Sequence, residues 1–174
     1  MATTFRQVRL SDGVQGRLYL HSMPGRYEDL IEAWKQVKAL GVGTIVCLAP
    51  LDEVREKSPH YAAALEEGAV PCPIRRFPVC DYQGPDDDQA FQHIVLEVAD
   101  LLRNGERILV HCGAGIGRTG MFVIGVLMAL GLSGEEARRL ARAAGSHPER
   151  QAQEQALHRL AQDLADQGSQ GGAV

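Results

Sequence analysis

One stretch, residues 110–120, constrains this chain more than any other part of its sequence. It reads Val-His-Cys-Gly-Ala-Gly-Ile-Gly-Arg-Thr-Gly, so four glycines surround one cysteine and one arginine. A short aliphatic run, residues 107–110, follows an Asn-Gly turn signal and leads into this stretch, which is typical of a buried strand. The sequence therefore predicts a strand that delivers Cys112 and a helix from about Arg118 to Leu130.

The glycines of this stretch favour an anion-binding loop. Gly113, Gly115 and Gly117 allow a tight curl in which backbone N–H groups point inward, and the following helix directs its positive end toward the same point. Such a loop binds a dianion. It also stabilises a sulfur anion, because a cysteine at a helix N-terminus near a cation loses its proton readily. We expect Cys112 to be a thiolate at neutral pH.

The polar residues of the stretch suggest separate roles. Five residues separate Cys112 from Arg118, whose guanidinium can hold two phosphate oxygens bidentately. Thr119 carries a hydroxyl that is expected to hydrogen-bond the sulfur and help it leave in a second step. His111 is expected to orient the loop, since a thiolate needs no base. The remaining substrate-binding residues predicted in the loop are Gly113, Ala114, Gly115, Ile116 and Gly117. The alternative, a buried cysteine beside a glycine turn, leaves the fixed spacing unexplained.

The pattern His-Cys-x-x-Gly-x-x-Arg-Thr-Gly of residues 111–120 resembles the signature of the cysteine-dependent protein tyrosine phosphatases. The small size of the chain is similar to their compact dual-specificity branch, and the resemblance covers about residues 16–160. It implies a sheet flanked by helices, a phosphocysteine intermediate, no metal or cofactor, and a general-acid aspartate on a mobile loop upstream. The length of 174 residues fits a single phosphatase domain.

Within this resemblance, Asp81 is the predicted general acid. It lies in a turn-rich segment after a predicted strand, and the Asp-x-x-x-Pro pattern of residues 81–85 is similar to the dual-specificity version. A carboxylic acid on a loop that closes over the site can protonate the leaving oxygen. The segment lacks the tryptophan that larger tyrosine phosphatases place before their aspartate. The aspartates of residues 86–88 are assigned to the start of the next helix, with Asp86 as the reserve acid.

Alternating strand and helix patterns predict an α/β fold, in which a central, mostly parallel sheet is flanked by helices on both faces and the phosphate-binding loop joins a strand to a helix. The predicted strands are residues 17–21, 43–48, 70–77 and 107–110. The predicted helices are residues 27–40, 50–68, 88–102, 118–130, 134–145 and 146–167. Residues 168–174 are predicted to be a disordered, Gly-rich tail.

Net charge and cysteine content limit the binding partners and the cellular compartment that we expect for this protein. A net charge of −4 gives no reason to expect a nucleic acid or an anionic membrane surface as partner. No apolar run reaches the roughly 20 residues needed to span a bilayer. The four cysteines lack metal-ligand or disulfide spacing, and a catalytic thiolate needs a reducing compartment, so we expect a cytoplasmic protein. Cys47, Cys72 and Cys80 remain candidates for a regulatory disulfide with Cys112.

The resemblance implies a protein phosphatase that hydrolyses phosphotyrosine and phosphoserine or phosphothreonine monoesters, with a phosphorylated protein or peptide as partner. The oligomeric state stays open. One alternative is a phosphoinositide phosphatase, although relatives of that kind often carry lysines inside the loop. A non-catalytic phosphoprotein-binding module would be expected to lose Cys112, Arg118 or the acid. A rhodanese-type sulfurtransferase would require neither Thr119-Gly120 nor an upstream acid.

Two further sets of residues have open roles. Arg26, in the turn after the first predicted strand, is interpreted as a solvated charge, with a phosphate contact as the alternative. A glutamine late in the chain positions the hydrolytic water in larger relatives. Gln151, Gln153 and Gln155 are the candidates here, although glutamines on an exposed helix need no such role.

Overall fold

The computed structural model describes residues 4–171, and within them five strands form one mixed sheet with the order β1-β2-β5-β3-β4. β1 pairs with β2 in the antiparallel direction, and all other pairings are parallel. The strands are Arg6–Val8 (β1), Arg17–His21 (β2), Thr44–Cys47 (β3), Ile74–Arg76 (β4) and Arg107–His111 (β5).

Helices cover both faces of the sheet. They are Leu30–Ala39 (α1), Leu51–Lys57 (α2), Pro59–Glu67 (α3), Asp88–Arg103 (α4), Gly117–Ala129 (α5), Gly134–Ala143 (α6) and Gln151–Gln170 (α7). Successive side chains of a strand point to opposite faces. Ile108 and Val110 accordingly pack in the cluster that contains α4 to α7, whereas Leu109 packs with Val37 of α1 on the other face. The predicted α/β fold with a mostly parallel sheet is therefore confirmed.

The central strand β5 determines where the candidate site lies. It pairs with β2 on one side and with β3 on the other, and its last residue, His111, is in register with His21 and Cys47. Clefts beyond the carboxyl ends of parallel strands are the usual binding positions in such sheets. Cys112 follows at this end, and α5, whose residues from Gly117 to Leu127 are all buried, begins five residues later.

Proline explains two differences from the predicted elements. The single helix predicted over residues 50–68 is divided into α2 and α3 at Ser58, whose φ of −150° and ψ of 76° are not helical. A residue before proline is disfavoured in the helical region, and Pro59 follows Ser58. The strand predicted over residues 70–77 is confined to β4, because Pro71 and Pro73 have no N–H group to donate to a sheet.

The ends of several elements also differ from the prediction. β1 was not predicted, since three residues are too short to show a periodicity. α1 begins at Leu30, and Tyr27, where the predicted helix started, is 56% exposed. The last helix begins at Gln151, not at residue 146, and continues to Gln170. Residues 168–170 are thus helical, in contrast to the predicted tail, while residues 172–174 lie outside the described part.

Candidate active site

The loop between β5 and α5 surrounds the sulfur of Cys112. The side chain of Cys112 is buried, and its Sγ accepts a hydrogen bond of 3.3 Å from the backbone N–H of Gly115. Gly115 has a φ of +76°, and a Cβ at this position would collide with the backbone carbonyl of His21. Both restrictions require glycine. The predicted tight curl is present, and a backbone donor faces the predicted nucleophile.

Arg118 is held in a fixed orientation by a carboxylate from α2. Nη1 and Nη2 donate to Oε2 and Oε1 of Glu53 at 2.8 and 2.9 Å, and Nη1 also donates to the carbonyl oxygen of Val79 at 2.9 Å. The Arg118 side chain is only 2% exposed. Its Nε has no hydrogen-bond partner among the described residues, which leaves one N–H group available to a phosphoryl oxygen.

Glu53 was not predicted as a site residue. Burial raises the pKa of its carboxyl group, but hydrogen bonds from Arg118 and from Nζ of Lys57, at 2.9 Å, outweigh burial and lower the pKa to about 2. Glu53 is therefore ionised over the whole physiological range. In the sequence it is one of two acidic residues in the first turn of a helix, a pattern that indicates only a favourable interaction with the helix dipole.

Asp81, the predicted acid, lies beside Arg118. Its Oδ1 is 3.2 Å from Nη2 of Arg118 and accepts a hydrogen bond from the backbone N–H of Tyr82. The side chain is 43% exposed. A pocket of about 180 Å³ brings these groups together, and its lining is Arg26, Lys57, Asp81, Tyr82, Cys112, Ala114, Gly117, Arg118 and Glu149.

The loop that carries Asp81 is docked on the start of α7. The Cζ atom of Arg150 lies 4.4 Å from the ring centroid of Tyr82, within the range of a cation–π contact. Gly84 packs so closely on Ala152 that a Cβ at Gly84 would lie 2.8 Å from the carbonyl oxygen of Ala152. Tyr82 also has a φ of +61°, which is strained for a residue other than glycine. These contacts hold the acid loop near the pocket.

The three candidate glutamines do not line this pocket. Gln153 is buried, and its side chain accepts a hydrogen bond from the N–H of Glu149 at 2.8 Å and donates to the carbonyl oxygen of Gln83 at 3.4 Å. Gln151 and Gln155 are exposed. Glu149, which sequence reasoning assigned to a helix start, lies in the pocket lining instead.

Two of the three aspartates that were assigned to the start of the next helix have that role. Asp87 caps α4, because its Oδ1 accepts a hydrogen bond of 3.0 Å from the N–H of Ala90. Asp88 lies in the first turn and pairs with Arg159 at 2.7 Å. Asp86 is exposed and does not line the pocket, so its position gives the reserve acid no support.

His111 connects the loop to α3. The ring is fully buried, with Nδ1 3.0 Å from the carbonyl oxygen of Cys112 and Nε2 2.9 Å from the hydroxyl oxygen of Tyr61. Burial lowers the pKa of His111 to about 4. The neutral ring therefore donates from Nδ1 to the carbonyl and accepts from the tyrosine hydroxyl. These contacts are those of a residue that orients the loop.

The hydroxyl of Thr119 does not make the predicted contact with sulfur. Thr119 is completely buried, and its Oγ1 has no hydrogen-bond partner among residues 4–171. The predicted hydrogen bond from Thr119 to Cys112 is therefore absent. The threonine side chain fills space at the start of α5.

A second set of contacts holds the outer side of the loop. Arg6 of β1 donates from Nη2 to the carbonyl oxygen of Gly115 at 2.7 Å and from Nη1 to that of Ala144 at 2.8 Å. The Ser146 hydroxyl donates to the same Gly115 oxygen at 2.6 Å. The Ile116 side chain lines a separate pocket of about 330 Å³ together with Arg6. Ile116 therefore contributes no side chain to the pocket of Cys112.

The other cysteines differ from Cys112 in their environment. Burial raises the pKa of Cys47, and burial raises that of Cys72 to about 11. Cys80 is exposed, and all four thiols are free. Among residues 4–171, no three His, Cys, Asp or Glu side chains are grouped as metal ligands would be, and none of the helices is long and apolar enough to cross a bilayer.

Comparison with known sequences identifies similar proteins. The family model described as "PTP-SAK: Swiss Army Knife protein, DSP-PTPase phosphatase domain" matches residues 9–170. Tyrosine-protein phosphatase non-receptor type 7 of Rattus norvegicus is 28% identical over 148 residues, and so is that of Mus musculus. Each match covers 67% of this chain and 41% of the relative. The chain thus spans less than half the length of these curated relatives.

Solved structures share the fold. Kinase associated phosphatase (KAP), with its catalytic site cysteine substituted by serine, gives a TM-score of 0.79 at 20% identity, covering 95% of this chain and 98% of that one. PTPMT1 in complex with PI(5)P gives 0.70 at 19% identity, with coverage of 90% and 96%. Tk-PTP in the active form gives 0.66 at 24% identity, with coverage of 88% and 99%.

Proposed function

Because the chain belongs to the DSP-PTPase phosphatase domain family, whose members are cysteine-dependent phosphatases of dual-specificity type, we propose that it hydrolyses phosphotyrosine, phosphoserine and phosphothreonine monoesters in proteins. The observation that carries the proposal is the convergence of Cys112, Arg118 and Asp81 in one pocket. A thiolate, a cation and a carboxyl group are the three functions that a two-step phosphoryl transfer through sulfur requires.

In the first step, Sγ of Cys112 attacks the phosphorus atom opposite the ester oxygen. The S–P bond forms as the P–O bond breaks, and protonated Asp81 gives its proton to the leaving oxygen. Phosphoryl transfer passes through a loose transition state, so charge stabilisation and positioning supply most of the acceleration. Arg118 and the loop N–H groups supply that stabilisation, and Glu53 keeps the guanidinium in place before substrate arrives.

In the second step, water attacks the phosphorus atom of the phosphocysteine. Asp81, now a carboxylate, accepts a proton from the water, and the sulfur leaves as a thiolate while inorganic phosphate is released. The N–H group of Gly115 stabilises the returning negative charge on Sγ, since it donates to the sulfur in the resting site. Asp81 ends the cycle protonated, as it began.

A phosphoinositide phosphatase is the second candidate. The loop contributes no lysine, but Arg26 and Lys57 bring two cations to the pocket from outside the loop. A PTPMT1 structure of similar fold holds PI(5)P. A non-catalytic binding module is less well supported, because the nucleophile, the cation and the acid are all retained. The free thiols and the catalytic cysteine fit a reducing compartment, so we propose a cytoplasmic location.

Trapping of the intermediate tests the proposal. Acid quenching during turnover of a phosphorylated substrate should give protein-bound phosphate on Cys112. Cys112→Ser should abolish turnover and retain phosphate binding. The panel should compare phosphotyrosine, phosphothreonine and inositol-lipid substrates, with thiosulfate and cyanide as the sulfurtransferase control. Appreciable turnover by a clean Cys112→Ser preparation would contradict the proposal.

A further inference from the structure

One basic side chain of the active-site pocket has no carboxylate partner in the part of the chain that the structure describes. Arg118 binds Glu53 through two hydrogen bonds, and Nζ of Lys57 lies 2.9 Å from Oε1 of the same carboxylate. Arg26 lines the same pocket, yet within residues 4–171 its side chain makes no ion pair and no hydrogen bond. Among the described residues, Arg26 is thus a cation of the pocket without an ion-pair partner.

The position of Arg26 suits the binding of an anion next to the phosphoryl group. Three side-chain atoms surround the point where a Cβ of Gly113 would be: Oε1 of Glu53 at 2.6 Å, Nη2 of Arg118 at 3.2 Å and Nη1 of Arg26 at 3.3 Å. Glu53 is already bound by Arg118 and Lys57, which leaves Arg26 for an added anion. The Cζ atom of Arg26 is 4.7 Å from the ring centroid of Tyr27. A guanidinium that rests on an aromatic ring is partly immobilised and keeps its in-plane N–H groups available for oxygen ligands.

A carboxylate lies at the other end of the loop. Glu149 lies directly against Gly117, where its carboxylate leaves no room for a Cβ. Its backbone N–H is fixed by the buried side chain of Gln153 at 2.8 Å. The carboxylate itself has no basic partner in the described part of the chain. The rim of the pocket therefore carries an unpaired cation beside Gly113 and an unpaired anion beside Gly117.

This arrangement distinguishes the two sides of a substrate. A bound phosphoryl group is already anionic, so a second negative group near Glu149 is repelled, whereas one near Arg26 is attracted. We propose that the preferred substrate is a phosphopeptide with an acidic residue on one side of the phosphoresidue and a neutral or basic residue on the other. An inositol ring with several phosphates fits this rim less well, because one of its phosphates would face Glu149. The inference rests on the proposed phosphatase function.

Three phosphotyrosine peptides of equal length test the proposed charge preference. The first carries a glutamate before the phosphotyrosine, the second carries it after the phosphotyrosine, and the third carries none. We expect one placement to raise kcat/KM about 3- to 10-fold over the neutral peptide, as expected of a charge-assisted hydrogen bond, and the other to lower it. The favoured ratio is kcat/KM for the better glutamate peptide divided by kcat/KM for the neutral peptide, and Arg26→Met should bring it close to one. Glu149→Gln should restore kcat/KM for the poorer glutamate peptide to the value for the neutral peptide. The matched control is Arg142→Met, an exposed arginine of α6 outside this pocket, which should leave both ratios unchanged.

The outcomes separate the two proposals. If the three peptides are hydrolysed equally, or if Arg26→Met keeps the favoured ratio, the charge preference is wrong while the phosphatase function stands. If an inositol bisphosphate is preferred over every peptide and Arg26→Met removes that preference, the peptide assignment is overturned. If wild-type protein hydrolyses neither peptides nor an aryl phosphate, the proposed function fails first.

Discussion

Glu53 binds both terminal nitrogens of Arg118, with Oε2 2.8 Å from Nη1 and Oε1 2.9 Å from Nη2. The two residues are 65 positions apart in the chain, on α2 and α5. The carboxylate leaves the guanidinium a single orientation inside a buried site. The position of the phosphate-binding cation therefore depends on a residue outside the signature loop.

Glu53→Gln should lower kcat/KM for an aryl phosphate by about 100-fold. The amide group turns one N–H donor toward Arg118 and so displaces the guanidinium. A misplacement of about 1 Å in an active site has an effect of this size. Steady-state kinetics with Glu56→Gln, an exposed residue of the same helix, provides the control. Equal kcat/KM values for Glu53→Gln and wild type would show that the pair does not position Arg118.

The buried ring of His111 should make folding sensitive to acid. Burial lowers its pKa from 6.5 to about 4, so between these values the unfolded chain binds a proton that the folded chain excludes. Above pH 6.5 the ring is neutral in both states, and His111 costs no stability. As the pH drops from 6.5 toward 4, the free energy of unfolding falls by up to about 1.4 kcal/mol per pH unit.

Chemical denaturation between pH 4.5 and 7.5 measures this slope. The pKa of Glu53 lies lower, at about 2, so the stability that Glu53 contributes is lost only below pH 4.5. His111→Gln should reduce the slope and leave the part due to His21, whose pKa is also lowered by burial. An unchanged slope in His111→Gln would mean that His111 takes up its proton without unfolding.

Removal of the predicted acid should affect substrates according to their leaving groups. Asp81→Asn should lower kcat for a phosphoserine peptide about 10²- to 10⁴-fold, since an alkoxide leaves poorly without a proton. An aryl phosphate with a good leaving group should lose far less. Equal losses on both substrates would show that Asp81 is not the general acid, and Asp86→Asn would then be the next variant to measure.

Arg150 should hold the acid loop in its docked position. Arg150→Met removes the cation–π contact with Tyr82, a contact worth about 0.5–1 kcal/mol, and the strained φ of Tyr82 then favours opening. We expect faster hydrogen exchange in residues 81–85 and a roughly threefold loss of kcat that is larger for alkyl than for aryl substrates. Arg159→Met, which removes an arginine of α7 that pairs with Asp88 of α4, should change neither.

Gly120 should not tolerate a methyl group, although it lies within a helix. A Cβ at Gly120 would lie 2.5 Å from the backbone N of His147 and 2.6 Å from its Cα. Gly120→Ala should therefore lower the free energy of unfolding by about 1–3 kcal/mol. At Gly134, in the first turn of α6, the nearest atom is Sδ of Met128 at 3.7 Å, so Gly134→Ala should stabilise by about 0.4–1 kcal/mol. Thermal unfolding measures both variants. If Gly120→Ala and Gly134→Ala have similar effects, the backbone of residues 146–149 moves away from an added methyl group at little cost.

The parts of the fold that were predicted correctly are encoded by neighbouring residues. β2 has its predicted bounds, and α6 begins at residue 134 as predicted, directly after Ser133, whose hydroxyl accepts a hydrogen bond from the N–H of Glu136 at 3.2 Å. The curl of residues 112–118 also follows from its own glycines. Each of these features depends on residues fewer than ten positions apart, which patterns in the sequence register well.

The residues that were missed are charged side chains from distant elements. Glu53, Glu149 and Arg6 each fit a solvated surface position when only their neighbours are considered. Their place at the site depends on the order of the strands and on the short β1, which pairs at the edge of the sheet. Local patterns carry no information about such pairings, so these contacts became visible only in the folded chain.

The contact of Arg6 with Gly115 has a practical meaning for any shortened form of this protein. The family model matches from residue 9. A fragment that begins there would keep the whole signature loop but would lose Arg6, whose guanidinium donates a hydrogen bond to the carbonyl oxygen of Gly115. Such a fragment should be a poorer catalyst than its intact motif suggests. We therefore expect the catalytically competent unit to begin at or before Arg6, three residues ahead of the matched range.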